Sequence, residues 1–237
     1  PVKDTYGVVY LIFGRNNANT LDIDLSPSQF VGGASTGFRI SGGGTASKLG
    51  QSVAAAGDVN GDTYDDIIIG APGTTYAGRT NCGAAVVIFG RSAASTFDDI
   101  DLASGIASTA GFSILGAAAF DELGYSVSSM EHMNGDSYSD LILGAPNVNG
   151  VFGATSMGGS VWVLYGRYTS ATIDLSSMNA FGAVFLGLPD NSKLGTAVVG
   201  LGDINGDGLD DFAFSAPGQA VSAMLSAGGG YVMYGQT

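Results

Sequence analysis

The sequence repeats itself with a period of about 72 residues, and this repeat constrains the fold more than any other feature. An acidic loop that leads into an apolar run ending in Ala-Pro occurs three times. The copies are GDVNGDTYDDIIIGAPG at 57–73, EHMNGDSYSDLILGAPN at 131–147 and GDINGDGLDDFAFSAPG at 202–218. A period of this length is longer than most solenoid repeats and is close to that of a four-stranded propeller blade.

Other segments recur in the same phase, and each of them is typical of a β-strand. They are short, rich in Val, Ile, Phe and Tyr, and mostly bounded by Gly. The clearest set is GVVYLIFGR at 7–15, GAAVVIFGR at 83–91, GSVWVLYGR at 159–167 and GGYVMYG at 229–235. A second set begins with Leu-Gly, at 49–50, 123–124 and 194–195. A third set is GFRISG at 37–42 with its counterparts at 111–116 and 182–187. A fourth set contains Ile-Asp-Leu, at 23–25, 100–102 and 173–175. No long segment has helical periodicity.

The order of these segments predicts a four-stranded antiparallel meander in each repeat, with the acidic loop between strands 1 and 2. We therefore predict an all-β chain of propeller blades, whose sheets stack because none can cover its own faces. In this phase residues 1–47 supply strands 3 and 4 of a preceding blade with its connector. Residues 48–116 and 117–187 form two blades, and residues 188–237 supply strands 1 to 3 of an incomplete blade.

The number of repeats is too small to close most propellers, which usually have four to eight blades. The chain also begins with Pro1 rather than Met. We expect either a segment of a longer protein or a subunit whose propeller is completed by other copies. The second alternative places unpaired strand edges at both ends, where another chain can pair.

The composition and net charge of the chain limit the classes of partner that it is expected to bind. The 237 residues are 45% hydrophobic and carry a formal net charge of −13. Because no basic patch is available to neutralise phosphates, nucleic acid is not an expected partner. No apolar run reaches the ~18 residues that a membrane-spanning helix needs. Cys82 is the only cysteine, so it cannot form a disulfide within the chain.

Oxygen-bearing side chains recur at positions 1, 3, 5 and 9 of loop 1 (58–66) and loop 3 (203–211). The alternating spacing lets a tight turn aim three side chains at one centre, position 9 returns a carboxylate, and position 7 can offer its backbone carbonyl. Oxygen ligands without nitrogen or sulfur select a hard cation, and flexible loops favour Ca²⁺ over Mg²⁺. The predicted ligands are Asp58, Asn60, Asp62, Tyr64 and Asp66 in loop 1, and Asp203, Asn205, Asp207, Leu209 and Asp211 in loop 3.

Loop 2 (132–140) departs from this pattern, because His132 stands at position 1 and imidazole is a poor Ca²⁺ ligand. A third site formed by Asn134, Asp136, Tyr138 and Asp140 is therefore left open. No second His or thiolate supports zinc. None of the loops is an EF-hand, since position 12 of loop 1 is Ile69 rather than Glu. The alternative to a metal site is a hairpin whose Asp and Asn side chains cap its turns.

The string Leu-Gly…Asp-X-Asn-X-Asp-X-X-X-Asp…Gly-Ala-Pro resembles the FG-GAP repeat of integrin α-subunit propellers. It is still more similar to tandem FG-GAP repeats of bacterial and protist surface proteins. The resemblance covers most of the chain and implies propeller blades with Ca²⁺ in the strand 1–strand 2 hairpins of an extracellular or cell-surface protein. Here the Phe of Phe-Gly is Leu49, Leu123 and Leu194, and the third Gly-Ala-Pro is Ser215-Ala216-Pro217. We interpret these changes as neutral for packing.

An enzyme is not expected, because the one His lies in a loop and no nucleophile elbow is present. The expected function is a calcium-binding module for adhesion or scaffolding, acting through protein or glycan contacts. One alternative is a self-assembling subunit of a surface filament or matrix. A less favoured one is the non-catalytic propeller domain of a secreted hydrolase. Tyr76 and Phe152, in the loops between strands 2 and 3, are the candidate interface residues.

Overall fold

The computed structural model describes residues 7–14, 23–26, 30, 33, 36–44, 46–95, 98–148, 158–167, 171–177, 182–187, 191–220 and 226–236. Over these ranges the chain forms fifteen strands and two single turns of 3-10 helix, at Leu102–Ser104 and Leu175–Ser177. The prediction of an all-β fold built from propeller-type sheets is therefore confirmed. No helix in the described part of the chain is long and apolar enough to cross a membrane.

The strands form four sheets. Sheet 1 contains β1 (Val8–Ile12), β2 (Gly37–Ser41) and β6 (Ile100–Asp101). Sheet 2 contains β3 (Ser52–Gly57), β4 (Asp66–Ala71), β5 (Ala84–Ile88), β7 (Gly111–Leu115) and β11 (Ile173–Asp174). Sheet 3 contains β8 (Ser126–Met130), β9 (Asp140–Ala145), β10 (Ser160–Leu164) and β12 (Gly182–Leu186). Sheet 4 contains β13 (Val198–Gly202), β14 (Asp211–Ala216) and β15 (Gly229–Met233). Sheets 2 and 3 each contain the predicted antiparallel meander.

The sheets stack in chain order, because alternate side chains of a strand point to opposite faces. In β4, Ile69 lies in the core between sheets 1 and 2, whereas its neighbour Ile68 lies in the core between sheets 2 and 3. A third core, between sheets 3 and 4, contains Phe212 and Phe214. All five residues of β5 are buried because both faces of sheet 2 are covered. Burial on both faces explains why the strand 3 segments are almost continuously apolar.

The Ile-Asp-Leu connectors join successive sheets. β6 pairs parallel with β2 of the preceding sheet, and β11 pairs parallel with β7 in the same register. We call these segments clasp 1 (100–104) and clasp 2 (173–177). In each clasp the Asp caps the turn that follows: Asp101 Oδ1 accepts a hydrogen bond from Ala103 N at 2.9 Å, and Asp174 Oδ1 accepts one from Ser176 N at 3.0 Å.

An Arg–Asp ion pair secures each clasp to the sheet before it. In clasp 2, the guanidinium of Arg79 donates to both oxygens of Asp174 at 2.7 Å, and these bonds hold the pKa of Asp174 well below its usual range. Beside clasp 1, Arg39 of β2 pairs with Asp99 through its side chain and its backbone N–H. Bidentate Arg–carboxylate pairs fix geometry as well as adding energy.

The glycine of Gly-Ala-Pro is required by the packing of one sheet on the next. A Cβ on Gly70 would lie 1.9 Å from the carbonyl oxygen of Gly124 in the following repeat, and Ser52 Oγ donates to that oxygen at 2.9 Å. Gly144 and Ser126 hold the carbonyl of Gly195 in the same way. We call these contacts seams. The second residue of the Leu-Gly motif thus fits against the glycine of the preceding Gly-Ala-Pro.

In sheet 4, different residues stand at the two positions that form the seam in sheets 2 and 3. Ser215 stands where Gly70 and Gly144 stand, and Ala197 stands where Ser52 and Ser126 stand. If a glycine carbonyl packed at this place, the Cβ of Ser215 would meet it as closely as a Cβ on Gly70 would meet the carbonyl of Gly124. In sheet 4 Ser215 Oγ accepts a hydrogen bond from Ala197 N at 3.0 Å, and the interpretation of this serine as neutral for packing stays a prediction.

The buried carboxyl group of Asp121 should make the free energy of unfolding depend on pH. It is buried in the turn before strand 1 of sheet 3, where Ser47 and Ser192 stand in the other repeats, and its Oδ2 accepts a hydrogen bond from Ala118 N at 2.8 Å. Burial raises its pKa to about 6. The folded protein therefore binds a proton that the unfolded chain releases, and this contribution to stability grows as the pH falls from 7 to 5. Asp121→Asn keeps the acceptor but removes the titration.

The expected difference is about 1 kcal/mol: wild type should gain that much more unfolding free energy than Asp121→Asn between pH 7 and pH 5. Urea unfolding at the two pH values measures it. Asp98→Asn, at an exposed position, controls for the change in net charge. Equal pH dependence in wild type and Asp121→Asn would contradict the prediction.

Candidate metal centre in the strand 1–strand 2 hairpins

The three acidic loops lie side by side at one end of the stacked sheets. Ser139 N in loop 2 donates to the carbonyl of Asp58 in loop 1 at 2.9 Å, and Asp210 N in loop 3 donates to the carbonyl of His132 in loop 2 at 3.3 Å. More than half of the chain's 21 acidic residues lie in or next to these loops. The repeat therefore gathers its carboxylates into one continuous row.

Position 1 shapes the turn in loops 1 and 3. In loop 1, Asp58 Oδ1 accepts hydrogen bonds from Gly61 N at 2.7 Å and Asp62 N at 3.0 Å, and Asp58 Oδ2 accepts one from Thr63 N at 2.7 Å. Gly61 needs its positive φ of 77° to present its N–H in this way. Asp203 makes the same three bonds in loop 3, to Gly206, Asp207 and Gly208.

Positions 3, 5 and 7 are linked identically in all three loops. In loop 1, Asn60 Nδ2 donates to Asp62 Oδ2 at 2.9 Å, and Tyr64 N donates to Asp62 Oδ1 at 3.0 Å. The same two bonds join Asn134, Asp136 and Tyr138 in loop 2, and Asn205, Asp207 and Leu209 in loop 3. The structure brings these three predicted residues together in each loop, although the sequence did not predict that an amide nitrogen would face each carboxylate.

Position 9 is the buried member of each loop. Asp66, Asp140 and Asp211 each begin strand 2, and each is at most 1% exposed. One oxygen of each accepts a hydrogen bond from a glycine N–H just after strand 3, at 2.8 to 3.0 Å; the donors are Gly90, Gly166 and Gly235. Sequence analysis missed this bond between the loop and strand 3, although a glycine recurs there in every repeat.

The second oxygen of the buried carboxylate distinguishes loop 2 from the others. Asp66 Oδ2 accepts a hydrogen bond from Val59 N at 3.1 Å, and Asp211 Oδ2 accepts one from Ile204 N at 2.9 Å. Asp140 Oδ2 is buried and has no hydrogen-bond partner within the described ranges. Loop 2 thus lacks the backbone hydrogen bond to the second oxygen that Val59 and Ile204 supply in the other two loops.

The loops concentrate negative charge in one row. Burial raises the pKa of Asp66 to about 6, and the neighbouring carboxylates of Asp62 and Asp58 add to the rise. Burial also raises the pKa of Asp140 to about 6. The three salt bridges of the described part of the chain all lie elsewhere. A bound cation would offset this repulsion.

The oxygen donors of loops 1 and 3 are of the types that a hard cation prefers. Nowhere in the described ranges do three His, Cys, Asp or Glu side chains converge as a metal-binding group. Within loops 1 and 3, however, every predicted side-chain ligand is a carboxylate or a carboxamide. In loops 1 and 3 the residue types, and the crowding of carboxylates around Asp66, therefore fit a cation such as Ca²⁺.

The strand pair that leads into loop 2 also differs from the pairs that lead into loops 1 and 3. The strand pairs leading into loops 1 and 3 each contain a register shift just before position 1, at Gly57 and Gly202, which have φ of 63° and 68°. Loop 2 has Glu131 at this place, and its strands pair without a shift. The N–H of Glu131 instead donates to Asp210 Oδ2 at 2.7 Å. The glycine before the first Asp was the sequence signal for this difference.

The candidate interface residues lie away from the loops. Tyr76 is exposed, its ring lies 5.6 Å from the guanidinium carbon of Arg79, and it lines a groove of about 660 Å³ between sheets 1 and 2. Phe152 lies outside the described residues. The interface role of both residues stays a prediction.

Stacked antiparallel sheets with an acidic hairpin at the start of each repeat define a propeller-type repeat protein. Residues 49–87 match the model of the FG-GAP repeat. The chain is 30% identical to chicken integrin alpha-V over 173 residues, which are 72% of this chain and 14% of that protein. It is 29% identical to Drosophila melanogaster integrin alpha-PS2 over 181 residues, covering 72% of this chain and 10% of the integrin.

A relative of another kind is rat phosphatidylinositol-glycan-specific phospholipase D, 29% identical over 173 residues that cover 70% of this chain and 18% of that protein. The matched region is thus less than a fifth of each of these relatives. The chain is an FG-GAP repeat protein of the integrin-like propeller type, and the predicted resemblance is confirmed.

Proposed function

We propose that this chain is a calcium-binding FG-GAP propeller module that acts outside the cell or at its surface, in adhesion or as a scaffold, through contacts with other proteins. The observation that carries the proposal is the buried Asp66 carboxylate, which lies beside Asp62 and Asp58, and none of the three takes part in a salt bridge with a described residue. The integrins among its relatives support a role in adhesion.

The ion would be held by the oxygen donors of loops 1 and 3. These are the side chains of Asp58, Asn60, Asp62 and Asp66 with the carbonyl of Tyr64, and those of Asp203, Asn205, Asp207 and Asp211 with the carbonyl of Leu209. When bound, the ion supplies positive charge that offsets carboxylate repulsion. The chain's own contribution is to order the turn through position 1 and to join it to the end of strand 3 through position 9.

The role is non-catalytic in this proposal. His132 is the chain's one histidine, and its loop position offers no nucleophile to activate. The activity named for the phospholipase belongs to a protein of which the matched region is 18%. A hydrolase's non-catalytic propeller domain remains the less favoured alternative.

Self-association is the second candidate, and exposed apolar surface favours it. Sheets 1 and 4, at the two ends of the described stack, carry exposed valine, leucine and isoleucine side chains on their outer faces. Equivalent faces of sheets 2 and 3 are buried. Exposed apolar side chains on a sheet face are a feature of surfaces that contact other proteins.

Calorimetric titration with Ca²⁺ tests the calcium proposal. We expect two ions per wild-type chain, in loops 1 and 3. The double variant Glu131→Gly, His132→Asp gives loop 2 both the missing carboxylate and the missing bulge glycine, so it should bind a third ion. Asp65→Asn, next to a predicted ligand but not one itself, should leave the count at two. No binding by wild type, or a double variant that still binds two ions, would contradict the assignment.

A further inference from the structure

We propose that the groove between sheets 1 and 2 binds the uncharged aromatic ring of a tyrosine or tryptophan side chain on a partner protein. This inference deepens the protein contacts of the proposed function and does not depend on calcium. The groove has a volume of about 660 Å³. Binding pockets typically measure ~300–1,000 Å³, so a ring fits together with part of the chain that carries it.

The groove lies where one repeat departs from the other three. The third residue of strand 3 is Tyr10 in sheet 1, Trp162 in sheet 3 and Tyr231 in sheet 4. In sheet 2 the residue at this position is Val86, which lines the groove. The strand 2–strand 3 registers of sheets 2, 3 and 4 are the same, so the position lies on the same face of each sheet. Sheet 2 thus lacks a ring that the other sheets carry.

Trp162 shows how an aromatic side chain packs at this position. Its ring contacts the core between sheets 2 and 3, and its Nε1 donates to Ser160 Oγ at 3.0 Å. Leu175 of clasp 2 is 4% exposed in the same core. The counterpart in clasp 1, Leu102, is only partly buried and lines the groove instead. Space for a ring is therefore present beside Val86.

The residues that line the groove determine which kind of ring fits. Val86, Leu49 and Leu115 give it an apolar base, since each is 5% exposed. None of the described lining residues is charged, although the chain has a formal net charge of −13. Because a charged group would lose its hydration here without gaining a counterion, an uncharged ring is favoured. The lining residues with hydroxyl groups are Ser47, Thr74, Thr75, Tyr76, Ser113 and Thr172.

Two of these hydroxyl groups suit the polar edge of a phenol or an indole. Ser113 lies opposite Val86 in the pairing of β5 with β7, on the same face of sheet 2. Neither Ser113 Oγ nor Thr74 Oγ1 has a hydrogen-bond partner among the described residues, and a hydroxyl group can donate or accept. In sheet 1 the polar edge of the ring is satisfied in a similar way, since Tyr10 Oη donates to the carbonyl of Leu25 at 2.8 Å.

The border of the groove favours a ring that belongs to a protein. Tyr76 is 46% exposed there, and the guanidinium carbon of Arg79 lies 5.6 Å from the centre of its ring. Arg79 is itself fixed by its ion pair with Asp174. An exposed ring held in this way offers a stacking surface to the residues that flank a bound side chain. Tyrosine and tryptophan side chains that enter such pockets are typical anchors of protein–protein contacts.

Methyl NMR spectra of the intact chain, titrated with N-acetyl-tryptophan amide and N-acetyl-tyrosine amide, test the proposal. We expect saturable shifts of the Val86, Leu102 and Leu115 methyl signals, and none with N-acetyl-leucine amide or glucose. An uncharged peptide with alanines around one tryptophan should bind severalfold more tightly than N-acetyl-tryptophan amide. The absence of saturable shifts, equal binding of the leucine compound, preferred binding of glucose or equal affinities of peptide and amide would each overturn the proposal.

Val86→Trp gives sheet 2 the aromatic residue of the other repeats, so it should fill the groove and abolish the shifts without lowering the melting temperature. Val87→Trp is the matched control, because Val87 is 0% exposed and faces the opposite core. It should lower the melting temperature by roughly 5 °C or more. Similar losses in the two variants would show that no ring fits beside Val86 and would overturn the proposal.

Ser113→Phe, at the partly exposed position opposite Val86, is a second variant that should block the groove and abolish the shifts. Circular dichroism checks that each variant is folded. All titrations are repeated in EDTA, where ring binding should persist. A failure of ring binding would leave the calcium titration unaffected, and a failure of the calcium titration would leave ring binding unaffected.

Discussion

Gly70→Ala should lower the free energy of unfolding by about 3 kcal/mol or more. The added Cβ would lie 1.9 Å from the carbonyl oxygen of Gly124 and 2.3 Å from Ser52 Oγ. Neither neighbour can move away cheaply, because the first is backbone and the second donates a hydrogen bond to that same carbonyl. Sheets 2 and 3 must therefore separate locally, and this disturbs the core that they share.

Gly230→Ala is the matched control. Gly230 lies in β15, a Cβ there would meet no heavy atom within 4 Å, and neither glycine has a positive φ. Its effect should stay within ~0.5 kcal/mol, as for most substitutions that touch nothing buried. Denaturant unfolding of wild type and both variants measures the difference. Similar losses in the two variants would show that strand propensity, and not the seam, explains the glycine.

The contact between Gly70 and Gly124 also shows which structural features the sequence predicted and which it did not. Period, strand composition and the order of segments predicted the meander, because these are local properties of one repeat. The reason for Gly70 was hidden, because it depends on a carbonyl in the following repeat. The same limit applies to the Ile-Asp-Leu connectors, which were predicted as strands but pair with the sheet before their own.

The candidate metal site was also predicted only in part from the sequence. Spacing alone predicted that positions 1, 3 and 5 lie in one tight turn, and hydrogen bonds join them there. The hydrogen bond that Asp66 accepts from Gly90 N could not be predicted, because Gly90 lies at the far end of a different strand. The distinct entry to loop 2 was visible in the sequence as Glu131 in place of glycine, although its meaning required the register shift at Gly57.

Removal of calcium should be the largest effect of solution conditions on this chain. At a free Ca²⁺ concentration 100-fold above the dissociation constant, each site adds about 2.7 kcal/mol of stability, which EDTA should abolish. The physical reason is that the carboxylates around Asp66 then repel one another without a counterion. For a chain of this size the melting temperature should fall by roughly 5 to 10 °C for each site lost, measured by calorimetry.

Two aspartates separate this metal effect from the loss of hydrogen bonds. Asp62 accepts bonds from Asn60 Nδ2 and Tyr64 N at 2.9 and 3.0 Å, and Asp136 accepts the equivalent bonds from Asn134 and Tyr138, both at 2.8 Å. Asp62→Ala and Asp136→Ala therefore remove the same contacts from loops 1 and 2. In EDTA the two variants should lose similar stability.

In calcium the two variants should diverge. Loop 1 has Asp58 at position 1, whereas loop 2 has His132 there and lacks the bulge glycine, so Asp62→Ala alone removes a predicted site. Its melting temperature should no longer respond to EDTA through loop 1, and proteolysis near Asp58 should be as fast in calcium as without it. If the two variants lose the same stability in both buffers, Asp62 is a turn-capping residue, and the acidic row is held together by its own N–H groups rather than by an ion.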